Sequence, residues 1–172
     1  MKKTISVLND MLADRVVENY AIGGAMAALF YAEPVVTYDL DVFVLLPAQE
    51  GSLVRLDKIY GYLKGRSYKV DKEHVLIEGI PVQFLPAYNA LTEDAVREAA
   101  QLKFEGEPVR VARLEHLLAI MAQTGRAKDK ARIEQLLDEC KVDRKALTRI
   151  LTRHTLLGAW KKILHELGER EA

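Results

Sequence analysis

Two short stretches carry residue types whose spacing could do chemistry. One is Ile22-Gly23-Gly24-Ala25-Met26-Ala27; the other is Thr37-Tyr38-Asp39-Leu40-Asp41-Val42. Two glycines between a strand and a helix let the backbone approach a ligand closely. The amides at a helix start then favour an anion such as a phosphate. Asp39 and Asp41 lie two apart on a strand, so both carboxylates point to one face, about 6–7 Å apart along the chain. A pair of this kind suits one or two Mg²⁺ ions, or Mn²⁺, which take hard oxygen ligands together with substrate phosphates. Two such ions about 3.5–4 Å apart can clamp the attacking and leaving oxygens of a displacement. Gly-Gly alone is usually a turn, and Asp-x-Asp alone proves nothing. Their order is more specific: strand, Gly-Gly, helix, then two carboxylates opening a buried apolar strand, where charge needs a reason.

Elements must exist to hold these residues. Ile5, Leu8, Leu12, Val16 and Val17 recur at helical spacing, which predicts an amphipathic helix over 4–18. Tyr20-Ala21-Ile22 reads as a strand running into the glycines. Residues 25–31 are rich in helix formers, and Pro34 ends that helix. Residues 39–46 form a continuous apolar run after the carboxylates, a buried strand. A helix over 52–63 follows, with Ser52 as its N-cap. Residues 74–77 and 80–85 flank Glu78-Gly79 as a hairpin. Thr92 caps a helix reaching about Ala100, and residues 102–104 and 109–111 make a second hairpin around Gly106 and Pro108. From Arg113 onward the apolar stripes are helical throughout, and Trp160 falls on one of them as core. The expected organisation is an α/β part over 1–111 and a helical region over 112–172 packed on it.

The composition narrows the function classes. Lys and Arg total 25 and Asp and Glu total 25, so no global charge favours nucleic acid. The single Cys140 cannot form an internal disulfide, and the four histidines show no metal-ligand spacing. No run approaches the ~18 apolar residues of a membrane span. The apolar residues after Met1 are broken by Asn9, Asp10, Asp14 and Arg15, unlike a signal peptide. A cytoplasmic setting without membrane association is the expectation.

The Gly-Gly, short helix, Asp-x-Asp segment resembles the signature of the DNA polymerase β-like nucleotidyltransferase superfamily. More narrowly it resembles small bacterial nucleotidyltransferases related to the abortive-infection type II toxins of toxin–antitoxin systems. Val111-Ala112-Arg113-Leu114-Glu115-His116-Leu117-Leu118-Ala119-Ile120, followed by Gly125-Arg126-Ala127-Lys128-Asp129, is similar to that family's downstream helix pair and its Arg-x-Lys-Asp element. The resemblance covers about residues 19–137. It implies an α/β (α+β) fold: a mixed β-sheet flanked by helices, followed by a C-terminal helical region. It implies a nucleoside triphosphate as substrate and transfer of its nucleotidyl group to an acceptor hydroxyl on tRNA, protein or a small molecule. Gly23 and Gly24 would cradle phosphates, Asp39 and Asp41 would hold Mg²⁺ or Mn²⁺, and Arg126 and Lys128 would steady the triphosphate. A cognate toxin or antitoxin and a second copy of the chain are further partners in this reading.

Three positions depart from the family pattern. Gln83, in Pro81-Val82-Gln83-Phe84-Leu85, stands where a third carboxylate is usual, and Gln is no base at neutral pH. Met121 replaces a Lys and Arg132 replaces an Asp. The residues therefore also allow a catalytically degenerate member that binds nucleotide or a partner without turnover. A third reading is a regulatory protein that dimerises, or holds a toxin or antitoxin, through its helical half.

Overall fold

The computed structural model describes residues 1–32, 39–47 and 56–168. In chain order the elements are α1 (Lys2–Ala13), β1 (Asn19–Ile22), α2 (Gly24–Ala28), β2 (Leu40–Leu45), α3 (Asp57–Gly65), β3 (Lys69–Asp71), β4 (His74–Ile77), β5 (Ile80–Pro86), α4 (Ala90–Arg97), β6 (Ala100–Phe104), β7 (Glu107–Val111), α5 (Leu114–Thr124), α6 (Ala127–Glu139), α7 (Arg144–Arg153) and α8 (Leu157–Leu167). The strands form one mixed sheet in the order β3-β4-β5-β2-β1-β7-β6. β2 runs parallel to β5, and β1 parallel to β7; the other neighbours are antiparallel. This is the expected α/β class, a mixed sheet flanked by helices and followed by helices.

Strand alternation assigns the two faces, because residues directly opposite across a pair share a face. Tyr20 opposes Val44, Ile22 opposes Val42, Val42 opposes Phe84 and Val75 opposes Val82. These residues are buried. α1 lies on this side, its Asn9 side chain accepting from the Tyr20 hydroxyl at 2.7 Å. α3 is tied to α1 by Tyr62 donating to Asp14 at 2.7 Å and Arg66 to Asp10 at 2.8 Å. The other face carries Asp41 and Phe43 of β2, opposite Gln83 and Leu85 of β5. α2 packs on this second face, and α4 packs against β1 and β2. α5 then covers α2 and α4 and is itself wrapped by α6, α7 and α8. That position explains why α5 is apolar nearly all round, with Leu114, Leu117, Leu118, Ala119, Met121 and Ala122 buried. Trp160 of α8 is buried in the same apolar cluster, as its spacing predicts.

Several boundaries differ from expectation. α1 stops at Ala13: Arg15 takes a left-handed φ of 56°, and the Val16 amide turns back to the Met11 carbonyl at 2.9 Å. Val16 and Val17 are buried all the same, so their apolar spacing reflects packing and not helix. α2 is only five residues long, ending at Ala28 rather than 31; Pro34 and Ser52 lie outside the described residues. α4 is capped by Asn89, not Thr92. The Asn89 side chain accepts from the Thr92 amide at 2.9 Å, and the Thr92 hydroxyl answers the Asn89 amide, a capping box that seats Thr92 in the first turn. β3 was not expected. All three of its residues are exposed, so it carries no apolar alternation to read.

Candidate functional site

The chain leaves β1 at Ile22 and turns sharply into α2. Gly24 has φ 57°, a left-handed conformation that glycine adopts without a side-chain clash. A Cβ on Gly24 would lie 2.0 Å from Asp41 Oδ2, and one on Gly23 would lie 2.2 Å from the Phe43 ring. The room left by the two missing side chains is thus taken up by Asp41 and Phe43. Gly23 is buried behind the site, its amide donating to the Asp41 carbonyl at 2.9 Å. Gly24 stands at the surface of the site itself.

A cavity of about 640 Å³ opens over the second sheet face, within the range usual for small-molecule sites. Gly24, Asp39, Asp41, Gln83, Arg126 and Lys128 all line it; Gly23 is the one sequence-expected site residue that does not. Met121 and Arg132, the other two departures, line it as well. Gln83 is the direct register partner of Asp41, so the amide sits beside the carboxylate on the next strand. One end of the cavity is polar. The rest is walled by Phe43, Leu85, Leu117, Ile120 and Met121, with Tyr88 at the rim, 70% exposed.

Burial pushes the Asp41 carboxyl above its ordinary value, and the charge of Asp39 pushes it further. Lys128, Arg126 and His74 pull it back without cancelling the rise. A partly buried carboxylate with an acidic neighbour is short of positive charge, so the donor set fits a hard cation. Among the described residues no group of three or more His, Cys, Asp or Glu gathers to hold a metal. Two carboxylates are enough for Mg²⁺ when phosphates and water complete its shell.

The opposite wall is built by the α5–α6 turn. Gly125 ends α5 in the left-handed conformation, and Arg126 becomes the N-cap of α6. Asp129, 3% exposed, accepts from Arg126 Nε at 2.6 Å, from Arg126 Nη2 at 3.2 Å and from the Thr124 hydroxyl at 2.6 Å. Burial pushes Asp129 up, but these hydrogen bonds and the charges of Arg126 and Lys128 outweigh it and hold the carboxyl below its ordinary value. Asp129 therefore braces Arg126, whose own side chain remains more than half exposed. Lys128 and Arg132, four apart on α6, share a helix face and both reach the cavity. Arg132 Nε is buried with no hydrogen-bond partner among the described residues. By sequence Arg132 stands where the family has an acid and within a basic cluster with Arg126, Lys128 and Lys130; the structure puts it on the cavity wall beside Arg126 and Lys128. Its i, i+4 spacing from Lys128 was the available signal. Lys130, on another face, pairs with Glu166 of α8. Cys140 is half-buried, its thiol donating to the Tyr31 carbonyl at 3.2 Å and raised by burial.

No protein-family model matches the chain, and no curated protein matches its sequence. Solved structures do match its fold. An antigenic nucleotidyltransferase-like protein from Paracoccidioides brasiliensis aligns at 16% identity and TM-score 0.59, covering 93% of this chain and 91% of its own. The antibiotic-resistance factor ANT(2'')-Ia aligns at 16% identity and TM-score 0.53, covering 96% of this chain and 99% of its own. At such identities the likeness is one of fold. The fold is nucleotidyltransferase-like over nearly the whole chain.

Proposed function

We propose that this protein moves a nucleotidyl group from a nucleoside triphosphate to an acceptor hydroxyl. The observation that carries the reading is the cavity in which Gly24, Asp39 and Asp41 face Arg126, Lys128 and Arg132. Asp39 and Asp41 would hold Mg²⁺ or Mn²⁺ against the triphosphate. Such a metal, when bound, neutralises phosphate charge and makes the α-phosphorus more open to attack. Arg126, Lys128 and Arg132 take up the charge that develops on the departing pyrophosphate, and the bidentate Asp129 keeps Arg126 in place for this. Leu117, Ile120 and Met121 form a dry wall beside the nucleotide. In this reading residues 1–111 supply the carboxylates and 112–172 supply the cations. The acceptor stays open among tRNA, protein and small molecule. A toxin–antitoxin setting, a cognate partner, a homodimer and a cytoplasmic location rest on the sequence reading alone.

Gln83 beside Asp41 favours a second reading, a nucleotide-binding module without turnover. A neutral amide adds no negative charge to a second metal and cannot deprotonate a hydroxyl. The experiment is label transfer from each α-³²P nucleoside triphosphate into total cellular RNA and protein, with Mg²⁺ or Mn²⁺, by native protein and by Gln83→Asp. Gln83→Asp is expected to leave triphosphate affinity nearly unchanged, and its gain in transfer measures how far the native site lacks a base, ~10²–10⁴-fold where no other residue serves as one. Binding without transfer in both forms would select the module. Efficient native transfer unchanged by Gln83→Asp would make Gln83 a bystander.

A further inference from the structure

Gln83 has a second register partner. On its other side it opposes His74 of β4, and His74 in turn opposes Asp71 of β3. Asp71, His74, Gln83 and Asp41 therefore form one transverse row across four neighbouring strands, all on the face that carries the cavity. The alternation of β4 agrees, since Val75 and Ile77 are buried on the opposite face while His74 is half-buried and Leu76 is 46% exposed. His74 acts electrostatically on the Asp41 carboxyl across Gln83. Neighbouring strands lie about 4.8 Å apart, so the Asp41 and His74 backbones are about 9.5 Å apart with Gln83 midway. Asp41 and Gln83 line the cavity, and His74 and Asp71 extend their row past its lining on the next two strands.

We propose that His74 is the base that activates the acceptor hydroxyl, doing from the next strand what a carboxylate at position 83 would do. This rests on the nucleotidyl-transfer reading above. Gln83 then has a positive role: its amide N–H donates to the acceptor oxygen and leaves that oxygen's own proton pointing at the imidazole. The neutral ring nitrogen takes the proton. The freed electron pair on oxygen forms the bond to the α-phosphorus, and the bond from that phosphorus to the β-bridging oxygen breaks, its electrons leaving with pyrophosphate. The imidazolium passes its proton to water at the exposed side of the sheet. Asp71 and Lys69 of β3, Lys72 and Glu73 in the intervening turn and Asp41 of β2 are the charged groups nearest it in chain and register. The acceptor approaches over the β4–β5 surface at Leu76 and Pro81, which are partners in register.

The experiment is steady-state label transfer from α-³²P nucleoside triphosphates into total cellular RNA and protein by native protein, His74→Ala and His74→Gln. Both variants are expected to lose about 10²–10⁴-fold in kcat, with KM for the triphosphate within about twofold of native. Free imidazole is expected to restore part of the rate to His74→Ala. The loss is expected to shrink when His74→Ala is placed on Gln83→Asp, because a carboxylate there supplies a second base. Transfer that needs Asp41 but proceeds at the native rate in both His74 variants overturns this proposal alone. So does a loss that falls on KM and is untouched by imidazole. Native protein that transfers no label overturns the nucleotidyl-transfer reading and this proposal with it.

Discussion

Asp41 and Asp129 line the same cavity, yet the structure shifts their carboxyls in opposite directions. Asp41 is set on the sheet with an acidic neighbour, and the charges of Lys128, Arg126 and His74 do not cancel its burial. Asp129 is also shielded from solvent, but bidentate Arg126 and the Thr124 hydroxyl satisfy it. Burial alone does not decide whether a carboxylate is a cost or a brace; its partners do. An under-compensated carboxylate is one that a bound cation can relieve. A fully partnered one holds its surroundings still. The first wall is therefore built to bind and the second to position.

The sharpest way to break this comparison is to neutralise each acid in turn. Asp41→Asn is expected to lower transfer by more than the ~10²-fold that a supporting residue costs, without destabilising the fold. Asp129→Asn is expected to lower transfer by about 10–100-fold by loosening Arg126, and to cost about 1–3 kcal/mol of stability as a buried charged hydrogen-bond centre is lost. Label transfer and thermal unfolding of the two variants check both halves. If Asp41→Asn is the destabilised one, the assignment of roles is reversed.

Much of the first wall was legible in the sequence because its determinants are local. Gly24, Asp39 and Asp41 follow one another through strand, turn and strand, and Gln83 falls where an aligned motif puts it. The transverse row through His74 was not legible, because strand register is a long-range property: β5 pairs with β2 only after a long intervening stretch of chain, and β4 joins the row through β5. β3 left no apolar pattern at all. The second wall was half legible. Arg126, Lys128 and Asp129 stand together in one motif, but nothing in their order says that Asp129 faces inward and accepts from Thr124. Arg132 stood out as part of a basic cluster with Arg126, Lys128 and Lys130, but it was not assigned to the site because the family pattern has an acid at its position. The helix starts at Asn89 and Ala90 and the early stop at Ala13 were missed for a common reason: a cap or a left-handed residue outweighs apolar spacing at a helix end.

A gentler comparison uses pH. Asp41 has a raised folded value, so its contribution to stability is full below the ordinary carboxylate range and is lost as pH rises through the raised value. Asp129 has a lowered folded value, so its contribution is full above the ordinary range and is lost as pH falls through the lowered value. Chemical denaturation without divalent metal, run from about pH 3 to 8, should separate them. Asp41→Asn is expected to remove a decline on the alkaline side, and Asp129→Asn a decline on the acid side. Curves that change on the same side in both variants would mean that the two carboxyls are not held differently.

The smallest effect is the response to Mg²⁺, and it tests whether the cost at Asp41 is there to be relieved. A cation that binds only the folded protein stabilises it by about 1.4 kcal/mol at ten times its dissociation constant. For a chain of this length that corresponds to a rise in Tm of about 3–6 °C. The rise should be larger at pH 8 than at pH 5, because protonated Asp41 competes with the cation and its raised value extends that competition upward. Native protein and Asp129→Asn are expected to show the rise, since Asp129 is already occupied by Arg126 and Thr124. Asp41→Asn, and the Asp39→Asn, Asp41→Asn double variant, are expected to lose it. Calorimetry of the four proteins with Mg²⁺, and with Na⁺ at matched ionic strength, separates site binding from screening. A rise that survives in the double variant would move the cation to another part of the chain, and the under-compensated charge at Asp41 would then need a different ligand.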